Sequence, residues 1–378
     1  MPVTSTTPGC DRVIEAGPVR FPVRVRHSDA AWPELVRTLR ELDPDRFLLV
    51  TDRGLPRAQL DRTARCLRSV APTRVLRLPG PDPADLVTEP CVMAALGGTR
   101  LLAAAGRLAG RAAPGTRLVR LPTTLRAMSD GALSLDRPVD SGPAPSLVWA
   151  QLDFLDTLPP DAVRSGLSAI VRDTLAAGPF YYGHLAGLLS PRARYSPRTL
   201  AAFIGLCAEL RSTLMRYDPA GTGPGAAFRY GEDLADAVRA LGEGAPHPGG
   251  ATAVGLLAAA RIAVRLGFLD PADERAHREL VARWGVPAVL PAGIPPERVP
   301  AAMTGGTSGG PVPAPRTGPV GMVLLDALGQ PHVRRGRLLT EVDRTTVDQE
   351  LAGFAAPRVP TAAEPVRELV GAGGPGRP

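Results

Sequence analysis

Gly97-Gly98 stands between an apolar run and an Ala/Leu-rich run. There a chain without side chains can bring its amides up to a pyrophosphate at a helix start, although in a chain with 41 glycines a plain tight turn is the simpler reading of the pair. Glu232 and Asp236 lie four apart and share a helix face. With His247 they could form an oxygen-rich metal site, or they could be acidic residues on a solvated helix. Arg211, Arg229, Glu232, Asp236 and His247 together are the groups from which a remodelled site would be built, or an ordinary salt-bridged rim. One kind of chemistry is excluded. The 44 Lys+Arg residues are all arginine, so no Schiff base or titrating amine is available, because arginine does not deprotonate in proteins.

These groups need elements to position them. Val19 to Arg26 alternates as a strand, and Trp32 to Leu42 has helical spacing. Phe47 to Val50 is a short buried strand that ends in Thr51-Asp52, Leu60 to Val70 reads as a helix, and Thr73 to Leu78 reads as a strand. Cys91 to Leu96 then leads through Gly97-Gly98 into a helix reaching about Ala113. Thr116 to Leu121 and Leu147 to Ala150 are further strands, the former closed by Pro122-Thr123-Thr124. Such α/β alternation places ligands at strand ends. Beyond Pro160 the periodicity turns helical over Asp161 to Leu175, Leu200 to Arg216, Glu232 to Leu241, Ala251 to Leu266 and Pro271 to Trp284, with a short strand over Val320 to Leu325.

The expected organisation is an irregular N-terminus (1–18), a Rossmann-like α/β domain (19–159), a mainly α-helical C-terminal domain (160–355) and a flexible Pro/Gly-rich tail (356–378). A chain of 378 residues with 44% hydrophobic and 21% charged content has enough apolar material for this. The net charge of +7 is spread along the chain without a basic block interleaved with aromatics, so nucleic acid is not expected as a partner. Cys10, Cys66, Cys91 and Cys207 form no CxxC pair and read as small buried hydrophobes. No apolar stretch has the length of a membrane span or a secretory signal, which predicts a cytoplasmic location.

Several strings taken in order resemble the 3-dehydroquinate synthase-like sugar phosphate cyclases. They are Val50-Thr51-Asp52, Gly97-Gly98, Leu121-Pro-Thr-Thr-Leu-Arg-Ala-Met-Ser-Asp130, Leu152-Asp-Phe-Leu-Asp-Thr-Leu-Pro-Pro160, Arg164-Ser-Gly-Leu-Ser168, Tyr217-Asp-Pro219, Ala253-Val-Gly-Leu-Leu-Ala-Ala-Ala-Arg261 and Leu266-Gly-Phe-Leu-Asp-Pro271. The flavour is that of the valiolone-type synthases of secondary metabolism. The resemblance implies a dehydroquinate synthase-like fold, NAD with Zn²⁺ or Co²⁺, a homodimer, and closure of a carbocycle from a sugar phosphate. It places Asp52, Gly97, Gly98, Thr123, Thr124, Asp130 and Thr157 along the NAD site.

The chain departs from that family at the metal and the substrate. The family's ligating Glu falls on Ala169, its two histidines on Glu232 and Asp236, and its last His on Pro248, one position after His247. A Gly-Gly-Lys segment becomes Ser134-Leu135-Asp136, and one family lysine becomes Arg211. From these losses the sequence predicts a non-catalytic partner or scaffold, a pseudoenzyme. It would be homodimeric, or heterodimeric with an active cyclase, with no catalytic residue and no cofactor assigned. NAD stays open, and zinc or cobalt is not expected. The alternative is a repurposed cyclase-family enzyme with a remodelled site, acting on a sugar-derived or cyclitol-like substrate.

Overall fold

The computed structural model describes residues 9–78, 87–135, 143–218, 223–242, 248–291, 293–303 and 318–355. Its first part alternates strand and helix: β1 (Cys10–Ala16), β2 (Val19–Arg26), α1 (Trp32–Arg40), β3 (Phe47–Asp52), α2 (Arg57–Arg68), β4 (Thr73–Leu78), β5 (Val92–Gly97), α3 (Thr99–Arg111), β6 (Arg117–Pro122) and β7 (Pro145–Gln151). They form one seven-stranded sheet in the order β1-β2-β7-β6-β5-β3-β4. All neighbours run parallel except β1 and β2. The central strands are apolar almost throughout, and β5 is buried at every position. Strands covered on both faces by helices need such continuous runs.

The N-terminus is not irregular through residue 18. Cys10–Ala16 pairs antiparallel with β2 from Cys10↔Val25 to Ala16↔Val19. Charged residues on its outer face hid this strand from a reading based on apolar runs.

The helical part follows as α4 (Pro160–Ser165), α5 (Ser168–Ala177), α6 (Tyr182–Leu188), α7 (Pro197–Met215), α8 (Glu232–Leu241), α9 (Pro248–Arg265), α10 (Pro271–Trp284) and α11 (Arg298–Ala302). Short strands β8 (Val320–Val323), β9 (Leu325–Ala327), β10 (Gln330–Pro331) and β11 (Leu339–Val342) come next, before α12 (Arg344–Ala352). The single helix expected over Asp161 to Leu175 is two helices, broken at Gly166. A Cβ on Gly166 would lie 2.6 Å from Leu125 Cβ and 2.8 Å from the Arg126 amide nitrogen. The missing side chain therefore lets the segment after β6 press against this break. The 356–378 tail lies outside the described residues.

Two further glycines lock α8 to α9. Gly231, just before α8, has φ +72°, and a Cβ there would meet the Leu256 amide nitrogen at 2.8 Å. A Cβ on Gly255 would collide with the Gly231 carbonyl oxygen. Because α8 carries Glu232 and α9 carries Thr252, this contact sets the spacing of two polar groups. Gly255→Ala is expected to cost about 1–3 kcal/mol through overpacking, read as a lower urea midpoint with an unchanged slope. An unchanged midpoint would show that the helices can part freely.

Candidate active site

Two groups of residues sit where the sheet meets the helices. The first is the crevice at the C-terminal ends of β3, β5 and β6. From β3 the chain continues to β4 on one side, whereas from β5 it continues to β6 on the other. The ends of the paired strands β3 and β5 therefore flank the switch point at which open α/β sheets bind ligands. Asp52 ends β3, and its Oδ1 accepts the Gly54 amide at 2.8 Å. Gly98 is the N-cap of α3 and makes no side-chain cap bond. No acidic residue stands in the first turn of that helix. A Cβ on Gly98 would have only Thr124 near it, at 3.8 Å, so the backbone faces open space.

Thr123 and Thr124 complete the rim. The Thr123 amide donates to the Gly97 carbonyl at 3.0 Å, tying the two strand ends together. Thr124 Oγ1 accepts the Ala127 amide at 3.2 Å and so starts the helical turn that carries Asp130. That turn packs on the crevice, because a Cβ on Gly131 would strike the Thr99 side chain at 2.7 Å. Of the expected dinucleotide-lining residues, Asp52, Gly97, Gly98, Thr123 and Thr124 share this edge. Thr157 is otherwise engaged: its hydroxyl accepts from Gln59 Nε2 at 2.8 Å and donates to the Phe154 carbonyl at 3.1 Å. Asp130 points into the second group.

The second group is a lattice of arginines and carboxylates. Helix α5 is buried at every position from Ser168 to Ala176, yet it carries Arg172 and Asp173. Arg172 Nε donates to Asp173 Oδ1 at 2.8 Å, Nη1 to Glu232 Oε1 at 3.3 Å, and Nη2 to Asp130 Oδ1 at 3.3 Å. Arg211 from α7 bonds Asp130 as well and donates to Ser134 Oγ at 3.0 Å. Its guanidinium lies 4.5 Å from the centre of the Phe228 ring. Glu232 also receives Arg126 Nη2 at 3.3 Å and Arg239 Nη2 at 2.5 Å.

Electrostatics follow from this pairing. Burial alone would raise the Asp130 carboxyl, but Arg172, Arg211 and Arg126 overcome it and hold the group below the usual carboxylate range. For Glu232, burial is likewise outweighed, by Arg239, Arg126 and Arg172, and the carboxyl sits at about 2. Asp173 is the exception, with burial raising it despite Arg172 and Arg211. Its Oδ2 is buried without a hydrogen-bond partner.

An acid response follows. The lowered folded-state values of Asp130 and Glu232 contribute stability that is fully present above their ordinary values and lost as pH falls through the folded ones. Asp173, being raised, works in the opposite direction and blunts the loss. The thermal midpoint is expected to hold from pH 7 to about 5 and to fall between about 4.5 and 2. Glu232→Gln should flatten that fall, and an unaltered profile in the variant would contradict the assignment.

Of the other expected groups, Arg211 and Glu232 join the lattice, Asp236 stays at its rim on Arg239, and Arg229 pairs with Asp233 one turn along the chain. His247 lies outside the described residues. Arg126, Arg172, Asp173 and Arg239 were not foreseen. An Arg-Asp pair inside the apolar run Ser-Ala-Ile-Val-Arg-Asp-Thr-Leu was the available signal, since buried charges are seldom present without partners.

No family model matches the chain. It is 32% identical over 369 residues, 90% of this chain and 94% of the relative, to the 2-deoxy-scyllo-inosose synthase of Streptoalloteichus tenebrarius. It is 34% identical over 282 residues, 72% of each chain, to that of Streptomyces kanamyceticus. A solved 2-deoxy-scyllo-inosose synthase, complexed with carbaglucose-6-phosphate, NAD+ and Co2+, superposes with a TM-score of 0.80 at 23% identity, covering 91% of this chain and 100% of that one. The 2-epi-5-epi-valiolone synthase from Streptomyces hygroscopicus, with NAD+ and Zn2+ bound, gives 0.68 at 18% identity, covering 91% and 99%. The dehydroquinate synthase-like fold, a Rossmann-like sheet domain followed by helices, is therefore the fold of this chain.

These comparisons correct two expectations. A pseudoenzyme acting as partner or scaffold is overturned by identity above 30% with synthases over 90% and 72% of this chain. The expectation that left cofactors unassigned and set zinc and cobalt aside is overturned by neighbours whose shared architecture accommodates a dinucleotide together with Co2+ or Zn2+. Among the described residues, no helix is long and apolar enough to cross a membrane.

Proposed function

Because the chain belongs to the 2-deoxy-scyllo-inosose synthase family of sugar phosphate cyclases, we propose that it is an enzyme that acts on a sugar-derived or cyclitol-like substrate, with NAD as cofactor and a site remodelled around arginine. The observation that carries this reading is the crevice between β3 and β5. There Gly98 leaves the first amides of α3 uncovered, and Asp52 stands at the adjacent strand end.

The residues present fit a dinucleotide. The amides at the start of α3 suit a pyrophosphate, and the second carboxylate oxygen of Asp52 suits ribose hydroxyls. NAD, when bound, supplies a reversible hydride acceptor. Thr123 holds the β5 and β6 ends in register, so the crevice keeps its width. Asp130, kept ionised by Arg172 and Arg211, is a fixed acceptor that orients a substrate hydroxyl, and its lowered affinity for protons makes it a weak base near neutrality.

A divalent ion is the second group that the family implies, and His247, one of its candidate ligands, lies outside the described residues. No group of three or more His, Cys, Asp or Glu side chains among the described residues is placed to hold one. Asp130, Asp173 and Glu232 converge on the Arg172 guanidinium instead. Ala169, which the resemblance places at a ligand position, is buried one turn before Arg172 on the same helix.

The reading takes the protein as cytoplasmic and paired with a second copy. Calorimetric titration of the purified chain with NAD is expected to give one site per chain. Absence of binding at millimolar NAD would overturn the cofactor assignment.

A further inference from the structure

Glu232 occupies an unusual place for a carboxylate. Three guanidinium groups from three separate elements converge on it: Arg126 after β6 at 3.3 Å, Arg172 of α5 at 3.3 Å and Arg239 of α8 at 2.5 Å. The hydroxyl of Thr252, on α9, lies 3.5 Å from its Oε1 and accepts Arg239 Nη1 at 3.2 Å. Thr252 and Arg172 are buried, at 0% and 2% exposure. The outer two arginines reach solvent, with side-chain exposures of 24% for Arg126 and 21% for Arg239. Glu232 brings one negative charge and two acceptor oxygens to this convergence. A phosphomonoester brings up to two charges and three terminal oxygens, and guanidinium groups recognise it in forked geometry.

We propose that Arg126, Arg172, Arg239 and Thr252 form an oxyanion cradle that takes the phosphate group of the substrate, and that Glu232 is its built-in competitor, seated there until the phosphate displaces it. The inference rests on the enzyme reading above and deepens it. The chain has no lysine, so its permanently charged side-chain donors to a phosphate are guanidinium groups, and this is the one convergence among the described residues where three of them meet a single removable carboxylate. Arg211 stays outside the cradle, committed to Asp130 and Ser134. Glu232 gives the arginines a partner in the empty state, which avoids the cost of leaving like charges together without compensation.

Inorganic phosphate, titrated calorimetrically into the full chain at low ionic strength, tests this directly. Glu232→Gln removes the competing charge and is expected to tighten phosphate binding about tenfold, whereas Arg239→Gln and Arg126→Gln each weaken it about tenfold. Unchanged or weaker binding in Glu232→Gln would overturn the proposal, as would indifference to both arginine changes. Should Glu232→Gln fail to fold, Arg126→Gln alone decides, because its side chain lies at the rim. A parallel NAD titration separates the two readings. NAD binding without phosphate binding sinks the cradle alone, and phosphate binding without NAD binding sinks the cofactor assignment alone.

Discussion

Replacing Arg172 with methionine is expected to cost about 3–5 kcal/mol of folding stability, the magnitude seen when one member of a buried ionic network is removed. Methionine keeps much of the volume and leaves Asp130, Asp173 and Glu232 facing each other in a region where Arg172 is 2% exposed. The three come from different parts of the chain: the turn after β6, α5 itself and the start of α8. Loss of the guanidinium therefore removes one tie between the sheet domain and the helices and strips the buried Asp173 of its hydrogen-bonded arginine. Lysine in its place should recover only part of the loss, since one ammonium cannot serve three carboxylates in a planar fork. Urea unfolding of the two variants reads the effect. A cost under about 1 kcal/mol for Arg172→Met would mean that the carboxylates relax into water and that the lattice is not a structural centre.

Gly98→Leu is expected to weaken NAD binding about 100-fold or more, with a thermal midpoint close to that of the parent chain. The two halves of this expectation have separate causes. Gly98 has φ −79° and ψ 178°, an extended conformation open to any residue, and a Cβ there meets nothing closer than 3.8 Å. The fold should therefore tolerate the side chain. The same open space is where the pyrophosphate would approach the α3 amides, and a leucine would fill it. Gly97 is a poor control, because a Cβ at that position would collide with Leu101 and disturb the helix itself. Full NAD affinity in Gly98→Leu would place the dinucleotide elsewhere.

Much of this architecture is legible in the residues, for physical reasons. Strands β3 and β5 are continuous apolar runs because helices cover both of their faces, and Gly97-Gly98 falls at a strand end because the next element is a helix that must start there. Local pattern put Asp52, Gly98 and Thr124 at strand ends, and the family resemblance added their place along a dinucleotide. Local pattern could not place the lattice. Arg126 and Glu232 are 106 positions apart, and Arg211 and Asp130 are 81 apart, so no local period links them. β1 was missed for a related reason, since its Cys-Asp-Arg-Val-Ile-Glu-Ala sequence gains its order from pairing with β2 and from packing on α7, where the Glu15 amide donates to Ser212 Oγ at 3.0 Å.

The functional reading drawn from lost lysines and histidines erred by treating individual positions as decisive. Arg126, Arg172, Arg211 and Arg239 form a charged centre with Asp130 and Glu232 in this region. The chain also keeps 32% identity with a synthase across 90% of its length, so substitutions at a few inherited positions did not justify classing the whole as inactive.

The most direct measurement is turnover. The purified chain, incubated with NAD and a panel of sugar monophosphates, should release inorganic phosphate and yield a carbocyclic ketone of matching mass from at least one of them, with no net consumption of NAD. Binding of NAD and phosphate with no product from any member of the panel would contradict the assignment of this chain as a cyclase-family enzyme.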